Sequence, residues 1–299
     1  MVKKVFTTKY HEGFHKVTQG EYSWCAFVMN FEPLCGEESF YHKVSRRISQ
    51  SNSKKKNMEF KTENGIAVPS VTMEQMIEVD RIAVEETGPN LFQMMENAGR
   101  NLAELTIKTL GDDWRKQNII VLAGTGGNGG GGICAARHLA NRGANIKVCV
   151  TEPEKLKEVT AYQLHILKST NAKIISIEEL QNENPDLIID AIIGYSLTGE
   201  PRGKALELIK WTSQHLGIII SLDVPSGINS TTGEAACHFI RPDITLTLAL
   251  PKTGLHPSLT GELYLADIGI PNKVYKKLKL NYQQPFNHHY YIKLRSEIS

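Results

Sequence analysis

Three short stretches of the chain carry residues with chemistry to offer. Gly124-Thr125-Gly126-Gly127-Asn128-Gly129-Gly130-Gly131-Gly132 puts seven glycines in nine positions, directly ahead of Ile133-Cys134-Ala135-Ala136-Arg137-His138-Leu139. Bare backbone N–H groups at the start of a helix hold a phosphate without a lysine, and glycines allow positive φ and close approach to it. Gly124, Gly126 and Gly129 fit G-x-G-x-x-G, a weak motif by itself and a stronger one between a strand and a helix. The second stretch is Asp190, followed by the polar loop Gly194-Tyr195-Ser196-Leu197-Thr198-Gly199-Glu200-Pro201-Arg202-Gly203. The third is Leu222-Asp223-Val224-Pro225-Ser226-Gly227. An aspartate at the carboxyl end of a strand structures a loop or faces a ligand crevice, and two of them on neighbouring strands favour the crevice. Asp and Ser oxygens beside the Asn128 carbonyl suit a hard cation. His138, His165, His215, His238 and His256 show no metal spacing and the cysteines form no CxxC pair, so no zinc site is expected; His138 reads as a structural histidine. No G-x-S-x-G elbow supports a serine hydrolase.

The elements that must position these residues follow from periodicity. Thr72 and Gln75 form a capping box for a helix whose apolar face is Met73, Met76, Ile77 and Ile82, and a second helix runs from about Asn90 to Leu110, stopped by Gly111. Six β-rich runs come next: Ile119–Ala123, Ile146–Val150, Ile174–Ser176, Leu187–Ala191, Ile218–Leu222 and Ile244–Leu248. Nearly continuous apolar strands spaced by helix-length segments indicate an α/β fold, a Rossmann-like three-layer sandwich with a mainly parallel central sheet. A last strand, Leu263–Ile268, is expected to close one edge.

Composition, with 41% hydrophobic and 22% charged residues, is that of a globular chain with a sizeable core. The net charge of +2 is concentrated in residues 1–57, which hold ten Lys/Arg against five Asp/Glu; the remainder is mildly acidic, so no nucleic-acid partner is expected. Residues 1–57 lack periodicity and end in a Ser/Lys/Arg-rich run, the pattern of a disordered or mis-called leader, with Met58 an alternative start. Residues 58–70 read as a linker, 71–279 as the α/β, Rossmann-like domain and 280–299 as a tail. Five scattered cysteines suggest a reducing compartment. No apolar run spans a bilayer and no secretory core opens the chain, so a cytoplasmic protein without a membrane partner is expected.

In order along residues 71–279, Thr72-Met73-Glu74-Gln75-Met76 with Asp80, Met95-Glu96-Asn97-Ala98-Gly99, the glycine run, Asp190-Ala191-Ile192-Ile193-Gly194, Asp223-Val224-Pro225-Ser226-Gly227, Arg241-Pro242-Asp243, Ala249-Leu250-Pro251-Lys252 and Asp267-Ile268-Gly269-Ile270-Pro271 resemble the YjeF N-terminal domain family of NAD(P)H-hydrate epimerases. The resemblance implies interconversion of the R and S forms of hydrated NADH or NADPH (NADHX, NADPHX), a homodimer, and an NAD(P)HX dehydratase as functional partner. It implies substrate contacts at Gly127, Asn128, Gly129, Gly130, Gly131, Gly194, Tyr195, Ser196, Leu197, Thr198, Gly199, Glu200 and Asp223. It also implies a potassium ion on Asn128, Asp190 and Ser226. Gly127 and Gly131 depart from the family's G-x-G-N-N-G-G-D-G, replacing an Asn and the Asp. Removing one proton-transfer group costs about 10²–10⁴ in rate. Asp223 is then the candidate acid–base residue, and the alternative reading is a non-catalytic nucleotide-binding or scaffold module. An ordinary dehydrogenase fits less well, because Glu152 lies beyond the usual ribose-binding position.

Overall fold

The computed structural model describes residues 59–297, so the leader expected over residues 1–57 lies outside it. The chain opens with β1 (Glu59–Thr62) and β2 (Ala67–Val68), then α1 (Met73–Ile82) and α2 (Leu91–Leu110). Thr72 caps α1 in a reciprocal box with Gln75, and Asn90 caps α2 in the same way with Gln93. Alternating elements follow: β3 (Asn118–Ala123), α3 (Gly127–Ala140), β4 (Asn145–Val150), α4 (Glu158–Leu167), β5 (Lys173–Ile175), α5 (Ile177–Leu180), β6 (Leu187–Ala191), α6 (Gly203–Thr212) and β7 (Ile218–Leu222). The chain then completes β8 (Ile244–Leu248), α7 (Pro257–Thr260), β9 (Glu262–Ala266), α8 (Asn272–Lys277) and β10 (Tyr291–Glu297).

Among the described residues all ten strands lie in one sheet, in the order β2-β1-β10-β9-β8-β7-β6-β3-β4-β5. From β9 to β5 every neighbouring pair is parallel, while β10, β1 and β2 are added antiparallel. Alternate side chains of β3 face opposite layers. Ile119, Val121 and Ala123 join a core with α1 to α4, whereas Ile120 and Leu122 join Leu208, Ile209 and Trp211 of α6 on the other side. This is the two-faced α/β arrangement that the apolar strands require. The chain leaves β3 towards β4 and returns to β6 on its other side. Such a reversal of direction opens a crevice beyond the carboxyl ends of β3 and β6.

Three expectations are corrected. The strand around Leu263 to Ala266 does not close an edge, because β9 pairs with β8 on one side and β10 on the other. The segments read as linker and tail are built into the sheet: Glu59 to Thr62 pairs with Leu294 to Glu297, and Phe60 is fully buried. β1 and β2 are too short, and the charged residues of β10 too frequent, to announce themselves by periodicity. Finally, the glycine run is mostly helix, since α3 begins at Gly127, and none of its glycines has positive φ. Close approach explains them instead. A Cβ on Gly129 would lie 1.9 Å from the Gly124 carbonyl oxygen, one on Gly132 2.4 Å from Ala191 Cβ, and one on Gly130 2.4 Å from Met95 Sδ. The bare helix thus presses onto the sheet and α2.

His138 has the structural role expected of it, with Nε2 2.8 Å from Glu96 Oε1, and burial lowers its pKa. Glu96, Cys134 and His138 do converge within 4.8 Å, an approach hidden from sequence spacing because Glu96 comes from α2. Arg137 bonds both Glu96 and Cys134 there, placing a fixed positive charge among them. Cys134, Cys149 and Cys237 are free thiols. Among the described residues no helix is long and apolar enough to cross a membrane.

Candidate functional site

The three stretches singled out by type end on adjacent strands, β3, β6 and β7, so they share one crevice. The start of α3 supplies the first wall. Its cap is Gly126, and the next N–H groups have no partners within the helix, which makes the end favourable for an anion. Asn128 is buried in this first turn, against Gly194 of the loop after β6: a Cβ on Gly194 would stand 3.3 Å from Asn128 Oδ1.

Asp190, the penultimate residue of β6, has 0% exposure. Its Oδ1 accepts from Ser226 Oγ at 2.6 Å and the Ile192 N–H at 3.2 Å; its Oδ2 accepts from Ser221 Oγ at 2.7 Å and the Ser226 N–H at 2.9 Å. All four donors are neutral, and burial raises the carboxyl's pKa against their pull. The Oδ1 and Nδ2 atoms of Asn128 are buried without hydrogen-bond partners. A buried acid lacking a counter-charge, a hydroxyl, and an amide oxygen left unsatisfied form a donor set that fits a hard monovalent cation.

Asp223, at the end of β7, has a positive φ of 68° and 1% exposure. Its Oδ1 accepts from Lys252 Nζ and from the Leu248 N–H at 3.2 Å, and its Oδ2 accepts from the Tyr195 N–H at 3.2 Å. Lys252 is fully buried, bonds the Leu248 carbonyl at 3.0 Å, and lies 5.5 Å from the Tyr195 ring centre. The Tyr195 hydroxyl donates to Asp80 Oδ2 at 2.6 Å. Burial lifts the Asp80 pKa to about 7, opposed by Tyr195 and Lys252 and aided by Asp223. The crevice floor is therefore a chain of polar side chains, Asp80, Tyr195, Lys252 and Asp223, inside an apolar core.

Of the expected substrate contacts, Gly127, Gly194, Ser196 and Leu197 are partly open, and Thr198, Gly199 and Glu200 are exposed. Glu200 is turned to accept the Cys237 N–H at 3.0 Å. Asn128, Gly129, Gly130, Gly131 and Tyr195 are buried. A Cβ on Gly131 would meet Leu222 Cδ2 at 2.7 Å, so a side chain there starts towards the sheet. Asp80 and Lys252 were not picked out as site residues from sequence. Each carried a signal: Asp80 is an acid on the same buried face of α1 as Met76 and Val79, and Lys252 follows the apolar run Leu248 to Pro251.

A helix start suited to an anion, a buried acid with its hard-donor neighbours and a second carboxylate lie together at the carboxyl ends of the parallel strands of a Rossmann-like α/β fold. Residues 91–254 match the family model described as YjeF-related protein N-terminus. The chain is 49% identical to the NAD(P)H-hydrate epimerase of Dehalogenimonas lykanthroporepellens, over 79% of this chain and 97% of that protein. It is 35% identical to the bifunctional NAD(P)H-hydrate repair enzyme Nnr of Hyperthermus butylicus, over 62% of this chain and 36% of that protein. The crystal structure of yeast ynu0 superposes with a TM-score of 0.64 at 25% identity, covering 76% of this chain and all of that one. The chain belongs to the YjeF N-terminal domain family.

Proposed function

We propose that this protein is an NAD(P)H-hydrate epimerase, interconverting the R and S forms of NADHX and NADPHX for an NAD(P)HX dehydratase that acts on one of them. The observation that carries the reading is the shared crevice: a helix start suited to the substrate's phosphates lies two strands from a carboxylate, in a chain similar to a curated epimerase over nearly that enzyme's whole length.

The reaction inverts a carbinolamine carbon. The ring nitrogen's lone pair forms a C=N bond as the C–O bond breaks, and the departing hydroxyl takes up a proton and leaves as water. Water then adds to the other face, the π electrons return to nitrogen, and the proton is released. Asp223 serves as the group that gives and regains this proton, and the start of α3 with the loop from Gly194 to Glu200 orients the dinucleotide. Asn128, Asp190 and Ser226 would hold a potassium ion, which would supply positive charge to balance the buried Asp190 carboxylate. The active species is a homodimer in the cytosol, where a reducing medium suits its free thiols.

The test is R-to-S conversion of NADHX by the purified protein, followed in potassium, in sodium and in cation-depleted buffer. Turnover that requires potassium supports the whole reading. Tight binding of NADHX without turnover would instead mark a non-catalytic nucleotide module, and sedimentation of the same sample measures the dimer.

A further inference from the structure

The pair beneath the crevice divides Asp223 into two halves. Oδ1 faces inward, held by the Lys252 ammonium and the Leu248 N–H. Oδ2 meets the Tyr195 N–H at 3.2 Å, and that donor belongs to the loop expected to hold substrate. Of the two oxygens, Oδ2 is therefore the one on the side of that loop, while Oδ1 is bonded to Lys252 and β8. Lys252 is fixed in its turn by the Leu248 carbonyl at 3.0 Å and Thr247 Oγ1 at 3.4 Å, both on β8. Its segment is tied to the start of the domain, where the Val71 N–H donates to the Pro251 carbonyl at 3.0 Å and the Thr253 N–H to the Val71 carbonyl at 3.0 Å.

A fully buried lysine is expensive, and its retention calls for a partner that needs a fixed positive charge. Here the partner occupies a backbone conformation that side-chain-bearing residues rarely adopt, with φ at 68° and its own N–H bonded to the Leu246 carbonyl at 2.7 Å. Strain of this kind persists where the surroundings over-determine it. We propose that Lys252 is a positioning residue: it clamps Oδ1 of Asp223 so that Oδ2 is aimed at the reacting hydroxyl, a role that rests on the epimerase reading above. Lys252 does not touch substrate; it acts through Asp223. The other ionisable groups around the pair are Tyr195 from the loop after β6, Asp80 from α1, and Tyr275 of α8, which lies close enough to feel the Asp80 charge.

Epimerisation by wild type, Lys252→Met and Lys252→Arg, measured on R-NADHX across pH, tests the proposal. With the clamp on Oδ1 gone, Lys252→Met should differ from the wild type in the pH dependence of kcat/KM. Its kcat should fall on the order of a hundredfold while KM stays within about threefold, since binding is left in place. Lys252→Arg keeps the charge but displaces it, so it should retain the wild-type pH profile with kcat lowered about tenfold. A wild-type profile and kcat in Lys252→Met would overturn the proposal. If Lys252→Met does not fold, Lys252→Arg decides: undiminished kcat, or a shifted profile, overturns it. Absence of turnover in the wild type overturns the epimerase reading itself, and this inference falls with it.

Discussion

Asp80 makes the stability of this domain depend on pH in a direction opposite to that of an ordinary paired aspartate. Its folded pKa is raised from 3.8 to about 7, chiefly by burial. Between those values the folded chain holds a proton that the unfolded chain releases, so the contribution is present at low pH and is lost as pH rises through about 7. Integrated from pH 5 to 8, a shift of this size is worth on the order of 2 kcal/mol. Asn imitates the protonated carboxyl and still accepts the Tyr195 hydroxyl, which now lies at 2.6 Å. Asp80→Asn should therefore match the wild type only below about pH 4, be the more stable of the two already at pH 5, and gain a further amount on the order of 2 kcal/mol over it between pH 5 and pH 8. Urea unfolding of both proteins at four pH values from 5 to 8 measures the difference directly. Parallel stability curves would refute the reasoning, because they would mean that Asp80 titrates alike in the folded and unfolded chains.

Asp190→Asn should abolish the potassium dependence of NADHX binding, and in the wild type potassium affinity should weaken as pH falls, since burial favours the protonated form that a cation opposes; calorimetric titration at several pH values reports both. Gly131→Asp should lower Tm by several degrees, because its Cβ would start 2.7 Å from Leu222 Cδ2 and its carboxylate beside apolar side chains; a raised Tm in a thermal melt would contradict this. Thr72→Ala should cost about 1 kcal/mol by removing the cap of α1, read from denaturant midpoints. A chain ending at Lys279 should fail to give a cooperative melt, since it strips β10 from both β9 and β1.

The parallel half of the sheet was legible because its central strands are apolar on both faces and bounded by helix signals, as in Ile119 to Ala123 and Leu187 to Ala191. The antiparallel half was not. Lys61 and Arg295, paired across β1 and β10, look like surface residues, and a two-residue strand such as Ala67–Val68 has no period to read. In the site, Asp190 and Asp223 were visible as acids closing hydrophobic runs. The chain of contacts from Asp80 through Tyr195 to Lys252 was not, because it joins residues from separate loops and a helix, and sequence spacing carries no record of depth. The glycine run was found for the right place and partly the wrong reason: what those positions need is room against Met95, Ala191 and the Gly124 carbonyl, not unusual torsions.

The placement of β10 between β9 and β1 constrains the order in which the domain can be assembled. The hairpin of β1 and β2 is made early in synthesis, yet its attachment to the main sheet is a strand that emerges some 230 residues later. On the ribosome, the parallel layers from β3 to β9 can condense while Phe60 has no sheet to enter. Completion waits for residues 291–297 to be released, when one strand zips two edges together at once. The first and last described strands thus close the fold like a clasp, and nascent chains stalled before that point would present an open β9 edge to chaperones.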